Sequence, residues 1–335
     1  MADVAREAGV SRALVSIVFR GAPGASASTR ERVLGVAREL GYHPHTAAQV
    51  LRRARSRHLG VLFTPRNPFE VEIVEGMYPA AEARGYRLVL SAMTPTRRVG
   101  TALDELAGYR SEALILVGLE LEDPVPTGPA QRVPVVRISR HADAHSDVVR
   151  SDDEKGMSDA VDFLVGLGHH RIVHVDGGSM PGADDRRDGY LKAMERHGLA
   201  GFTRVIPGDY TEQSGASAAR TLLAEEQLPT AVITGNDWCA FGVLTTFAQA
   251  RVEVPGEVSV VGYDDSRLAR LPFVQLSSVR QDAGLLGEMA VRAAVERLEG
   301  RRAVPREIVL EPRFVPRGTT AVARPDPPPA RMTQG

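Results

Sequence analysis

From residue 59 onward, short apolar runs alternate with longer stretches of helical spacing, and this alternation constrains the fold more than any other feature. The apolar runs are LGVLF (59–63), RLVLSA (87–92), ALILVG (113–118), VPVVRIS (133–139), RIVHVDG (171–177), TRVIPGD (203–209), AVITG (231–235) and VSVVGYDD (258–265). Helical spacing covers 69–84, 99–108, 158–167, 189–197, 215–226, 238–250 and 283–299. Strands followed by helices of this length form right-handed βαβ units and parallel sheets. The strands are too many for one sheet, so the pattern predicts an α/β body of two lobes. One or two further short strands are expected in 300–322, and the Pro-rich end, 323–335, reads as disordered.

The first residues follow a different rule. Residues 3–8 have helical spacing with Val4, Ala5 and Ala8 apolar, and Gly9 can end that helix in a left-handed conformation. Ser11 is a good N-cap for a second helix from Arg12 to about residue 20, with Leu14, Val15 and Val18 facing inward. An ordinary helical hairpin fits those residues equally well. Helix, Gly turn and capped second helix is also the helix-turn-helix arrangement, whose second helix reads base edges in the major groove. A third helix is expected to start at Ser26 or Ser28, bury Val33, Val36, Ala37 and Leu40, and stop at Gly41.

Charge separates this head from the body. Residues 1–58 carry ten Arg against four acids, a net +6, which leaves −7 on the remainder of a chain whose formal charge is −1. A basic head on an acidic body suits one segment that meets phosphate. Residues 45–57, HTAAQVLRRARSR, can form a short helix too small to stand alone in water. As a solvated linker it is basic; as a segment that orders on DNA, Leu51 becomes a minor-groove wedge and Arg52 a backbone contact. The single cysteine, Cys239, precludes an intrachain disulfide and suits a reducing cytoplasm. No apolar run is long enough to span a bilayer and no signal peptide is read.

Several motifs, in this order, resemble the LacI/GalR family of bacterial transcription regulators: DVAREAGVS with Val15-Ser16, TRERV (29–33), LGYHP (40–44), AAQVL (47–51), LGHHRI (167–172), RRDGY (186–190), TGNDWCAFG (234–242), VSVVGYDD (258–265) and LSSVRQD (276–282). The resemblance covers residues 1–322. It implies a three-helix headpiece (1–44), a hinge helix (45–57) and a periplasmic-binding-protein-like body (58–322) with parallel sheets. The N-lobe would hold about 58–152 and 281–312, and the C-lobe about 153–280 and 313–322. It also implies a homodimer on near-palindromic operator DNA, with a small-molecule effector between the lobes. Arg12 and Ala13 then stand where bases are met, and Ser11, Ser16, Ser26 and Thr29 where phosphates are. Leu51 matches the hinge leucine. Ile17 departs from the usual Arg; it can touch a thymine methyl but donates no hydrogen bond. The usual capping Thr before the first helix is absent, which predicts a frayed start or a start codon further upstream.

A pocket is argued separately, because ligands of parallel sheets bind beyond the carboxyl ends of strands. Phe69, Arg186, Tyr210, Asn236 and Asp264 each follow a predicted strand, with Arg186 expected in a loop. Of these, Arg186, Asn236 and Asp264 also match effector contacts in the resemblance. Planar donors, carboxylates and aromatic faces suit a hydroxyl-rich ligand such as a sugar. Phe69 and Tyr210 fit a core role as well; Asp237 reads as the cap of the next helix. Val117 stands where some sugar-binding members place a polar residue, which weakens the sugar assignment. His169, His170 and His174 lack the supporting ligands of a metal site, so none is expected, nor a cofactor. A transport-type sugar-binding protein is the alternative, opposed by the missing signal peptide. A Rossmann enzyme is disfavoured because GxGxxG, P-loop, GxSxG and HExxH motifs are all missing.

Overall fold

The structure is a computed structural model that describes residues 1–19, 21–42, 55–119, 133–138 and 145–325. It divides into two compact units, Met1–Ser56 and Arg57–Gly335.

The first unit contains α1 (Ala2–Glu7), α2 (Arg12–Phe19) and α3 (Ala27–Glu39). Gly9 takes φ 62° at the turn, and the Val10 amide donates to the Ala5 carbonyl at 2.9 Å. Ser11 Oγ accepts from the Leu14 amide at 3.1 Å, and Ser26, not Ser28, caps α3 by accepting from the Thr29 amide at 3.2 Å. The helices bury Val4, Ala5, Ala8, Val15, Val18, Val33 and Ala37, with Val10, Phe19, Val36 and Tyr42 around them. Two expected core residues lie elsewhere. Leu14 is only half-buried, and Leu40 is 48 % exposed because it caps α3, where the helical stripe no longer applies. Residues 43–54, including Leu51 and Arg52 of the expected hinge helix, lie outside the described residues, as do Arg20 and 326–335.

The second unit has two lobes of one plan. The N-lobe sheet runs β11-β5-β4-β3-β1-β2, from β1 (His58–Phe63), β2 (Arg87–Ala92), β3 (Ala113–Val117), β4 (Val135–Ile138), β5 (Asp147–Ser151) and β11 (Glu307–Leu310), all parallel. One face packs on α4 (Pro68–Ala83) and α10 (Ala283–Leu298), the other on α5 (Val99–Gly108). The C-lobe sheet runs β12-β10-β9-β8-β6-β7, from β6 (Ile172–Val175), β7 (Arg204–Ile206), β8 (Ala231–Thr234), β9 (Ser259–Asp264), β10 (Ser277–Arg280) and β12 (Arg313–Val315). It is parallel except where β10 meets β12. Helices α6 (Asp153–Gly166) and α7 (Ala183–Arg196) cover one face; α8 (Glu212–Leu223) and α9 (Asp237–Gln249) cover the other. The inner strands β1, β3, β8 and β9 are mostly apolar, as strands buried on both faces must be.

The chain crosses between lobes three times, at Ser151–Asp153, Arg280–Ala283 and Leu310–Arg313. The Asp152 amide donates to the Leu310 carbonyl at 2.9 Å and ties the first crossing to the third. Strands β5 and β10 were not expected from the sequence, and α6 and α7 begin at Asp153 and Ala183, earlier than 158 and 189. Both helices have acidic first turns, Asp153-Glu154 and Asp184-Asp185. Such residues suit a helix N-terminus electrically but break an apolar periodicity. No helix of the described residues is long and apolar enough to cross a membrane.

Helix α4 carries pocket residues, and glycines set its seat on α10. A Cβ at Gly76 would stand 2.6 Å from Gly284 Cα, and one at Gly287 would stand 2.4 Å from the Ile73 carbonyl. Gly287→Ala should therefore destabilise the body by about 1–3 kcal/mol through overpacking. Gly100→Ala, in open space on α5, should be neutral or gain up to about 1 kcal/mol. Thermal unfolding of the two variants beside the parent checks both signs.

Candidate functional site

On the headpiece, Arg12 and Ser16 lie one turn apart on α2, as do Ala13 and Ile17. Arg12 and Ala13 are exposed, Ser16 and Ile17 half-buried, and Val15 and Val18 face the core. The four thus share the outer face of the second helix. Ser11 and Ser26 sit at the N-termini of α2 and α3, where amides and the helix dipole favour anions. Thr29 Oγ1 lies 2.8 Å from Ser26 Oγ. Arg30, which the sequence reading did not single out, ties the intervening loop by donating to the Val18 and Ala22 carbonyls at 3.2 and 3.0 Å.

In the body, all five expected pocket residues line one cleft between the lobes. Phe69 comes from the first turn of α4. Arg186 lies in the first turn of α7, not in a loop, because that helix begins at Ala183. Tyr210 follows β7, Asn236 follows β8 and Asp264 ends β9.

Arg186 is the buried centre. Its Nε donates to Asp153 at 3.0 Å, its guanidinium donates to the Gly235 carbonyl at 2.5 Å, and it lies 4.0 Å from Asp264. The guanidinium carbon stands 3.8 Å from the Tyr263 ring centre and 5.2 Å from that of Tyr210. Burial opposes its charge, yet Asp153 and the other acidic groups hold its pKa well above the ordinary value. Tyr210 is placed by two glycines: a Cβ at Gly177 would meet its ring at 2.0 Å, and one at Gly235 at 2.3 Å. Tyr210 and Asp264 have φ of 64° and 112°, a conformation that costs about 1–3 kcal/mol per residue.

Phe69 and Tyr210 are both buried and both line the cleft, so packing and pocket roles coincide. Asn236, not Asp237, caps α9: its Oδ1 accepts from the Cys239 amide at 2.8 Å. Asp237 is held by the amide and hydroxyl of Ser266, both at 2.7 Å, and by Ser278 at 2.6 Å. The side-chain amide of Gln281 donates to Asp264 at 2.8 Å. Val117 lines the cleft with Gly118, Met180 and Pro181. The three histidines take separate partners: His169 the Ala321 carbonyl, His174 the Ile233 carbonyl, and His170 the Phe202 ring. Among the described residues no group of three His, Cys, Asp or Glu is placed to hold a metal.

Two features were not found from sequence. The loop after β9 reaches α4 of the opposite lobe, where the Arg267 amide donates to Glu72 at 2.8 Å and the Arg270 guanidinium to Glu72 at 3.0 Å. Glu70, deep in the cleft, accepts from the Thr64 amide at 2.8 Å and from Asn67 at 3.4 Å. Burial pushes its carboxyl up to about 8. The folded chain therefore holds a proton that the unfolded chain releases near the ordinary carboxyl pKa, and stability falls as pH rises through that window. Between about pH 5 and about pH 9, the Tm of Glu70→Gln should fall less than that of the parent; equal slopes in a pH series of melts would refute this.

Residues 1–45 match bacterial regulatory proteins of the lacI family, and residues 161–320 match the periplasmic binding protein-like domain. The ribose operon repressor of Escherichia coli is 32 % identical over 332 residues, 95 % of this chain and 99 % of that one. A crystal structure of the lac repressor dimer bound to operator and the anti-inducer ONPF is 28 % identical with a TM-score of 0.81, covering 95 % of this chain and 98 % of that chain. A complex of the transcriptional regulator CelR with cellobiose is 30 % identical with a TM-score of 0.70, over the same shares. The chain belongs to the lacI family of DNA-binding bacterial regulators.

Proposed function

We propose that this protein is a cytoplasmic, homodimeric repressor whose hold on operator DNA is set by a small polyhydroxylated effector, of the sugar class, bound between the lobes. The observation that carries the reading is the convergence of Phe69, Arg186, Tyr210, Asn236 and Asp264 on one cleft in a chain with an exposed helix-turn-helix face. On this reading Arg12, Ala13 and Ile17 meet base edges and Ser11, Ser16, Ser26 and Thr29 meet phosphate. Leu51 acts as a wedge in the minor groove and Arg52 meets the DNA backbone. The sugar class is supported by the cellobiose bound to CelR and by the ribose operon named for the Escherichia coli relative. A transport-type binding protein is set aside because it gives no role to the headpiece. Effector and operator are linked: whatever effector does to operator affinity, operator does to effector affinity.

Footprinting the DNA beside this protein's own gene, with and without a panel of sugars, tests the whole reading. A protected near-palindrome released by one sugar supports it; protection indifferent to every sugar removes the effector class. Arg12→Ala should lower operator affinity by about 10–100-fold, and unchanged gel-shift affinity would remove Arg12 from base reading. Arg186→Ala is a poor test, because it strands Asp153 in the interior. Tyr210→Phe is cleaner. The hydroxyl has no partner among the described residues, so its loss should leave Tm unchanged while weakening effector binding about 3–10-fold; calorimetric titration reads the affinity.

A further inference from the structure

Acidic side chains outnumber cationic ones along the cleft. Among the described residues Arg186 is its one lining cation, and that charge is already engaged by Asp153 at 3.0 Å and approached by Asp264 at 4.0 Å. Glu70 also lines the cleft, only 3 % exposed, and no ion pair reaches it among the described residues. The neighbouring charges are matched elsewhere: Arg187 by Asp176 and Asp184, and Arg317 by Asp265. Arg66, Arg97 and Arg98 line a wider groove that adjoins the cleft at Gly118 and Met180.

The unpartnered atoms agree with the charges. Gln281 Oε1 and the Tyr210 hydroxyl are buried, line the cleft and have no hydrogen-bond partner among the described residues. Gln281 turns its nitrogen to Asp264, so its free atom is an acceptor. The cleft thus offers Glu70, Asp264 and Gln281 as acceptors, with Phe69 and Tyr210 supplying aromatic rings. A hydroxyl gives one hydrogen and asks for others; an ammonium gives three, asks for none and is drawn to aromatic faces. Buried carboxylates without a cation are costly.

We propose, on the reading that this cleft is the effector site, that the effector is a small polyol or sugar bearing a protonated amino group, received by Glu70 and Asp264. The upward displacement of the Glu70 carboxyl through burial is the counterpart of a cation that the protein itself does not supply.

Calorimetric titration of the full chain with glucosamine, galactosamine and mannosamine, each beside its parent hexose and its N-acetyl derivative, tests this. One amine should bind about 10–100-fold tighter than its two neutral counterparts. Glu70→Gln, and separately Asp264→Asn, should collapse that ratio toward one, with far-UV circular dichroism reporting that each variant is folded. A neutral hexose bound as tightly as its amine, with a ratio unaltered by Glu70→Gln, overturns the amine while leaving the sugar effector standing. No binding by any of the panel, amine or neutral, overturns both.

Discussion

Arg186 and Asp153 form an ion pair with almost no access to solvent, and the order of the cleft depends on it. Removing either partner would leave an uncompensated charge in the interior, a loss of about 3–5 kcal/mol. Two hydroxylated rings and a backbone carbonyl complete the surroundings of the guanidinium. One side chain thereby connects the first turns of α6 and α7, the end of β8, and the tyrosines of β9 and the loop after β7. Its remaining reach, toward Asp264, points into the cleft. A ligand group placed there meets donors whose orientation is already fixed.

Around that pair, the backbone is held in less comfortable shapes. Tyr210 and Asp264 are left-handed or beyond, and Asp265 follows with φ 50°. The glycines at 177 and 235 let the Tyr210 ring lie against bare backbone. Packing that over-determines the site is what keeps such conformations populated. The strained stretch from Asp264 runs directly into Arg267, whose amide and side chain reach across to α4. Ligand contact and lobe contact therefore share a few consecutive residues.

The two-lobed α/β body and the five cleft residues were readable because strand edges converge by topology alone. Where the reading fell short, the local chemistry explains it. Strands β5, DVVRS, and β10, SSVR, are short and polar because they run into the crossings, so they show no apolar run. Arg186 looked like a loop residue because the turn before it, ADD, is polar. Glu70 was invisible as a pocket group: an acid in the first turn of a helix is ordinarily a solvated partner of the dipole. Its burial follows from Gly118, where a Cβ would collide with its carboxyl at 2.0 Å. Asp237 was assigned to capping because cap and first helical residue differ by one position, and Asn236 takes that place.

The three crossings lie side by side, since β5 pairs with β11 and β10 with β12. Three adjacent chain segments bend readily across their width but resist sliding past one another, much as a piano hinge does. The lobes are left with essentially a single soft coordinate. Ligands of different size or polarity can then be told apart downstream only by the opening angle they favour.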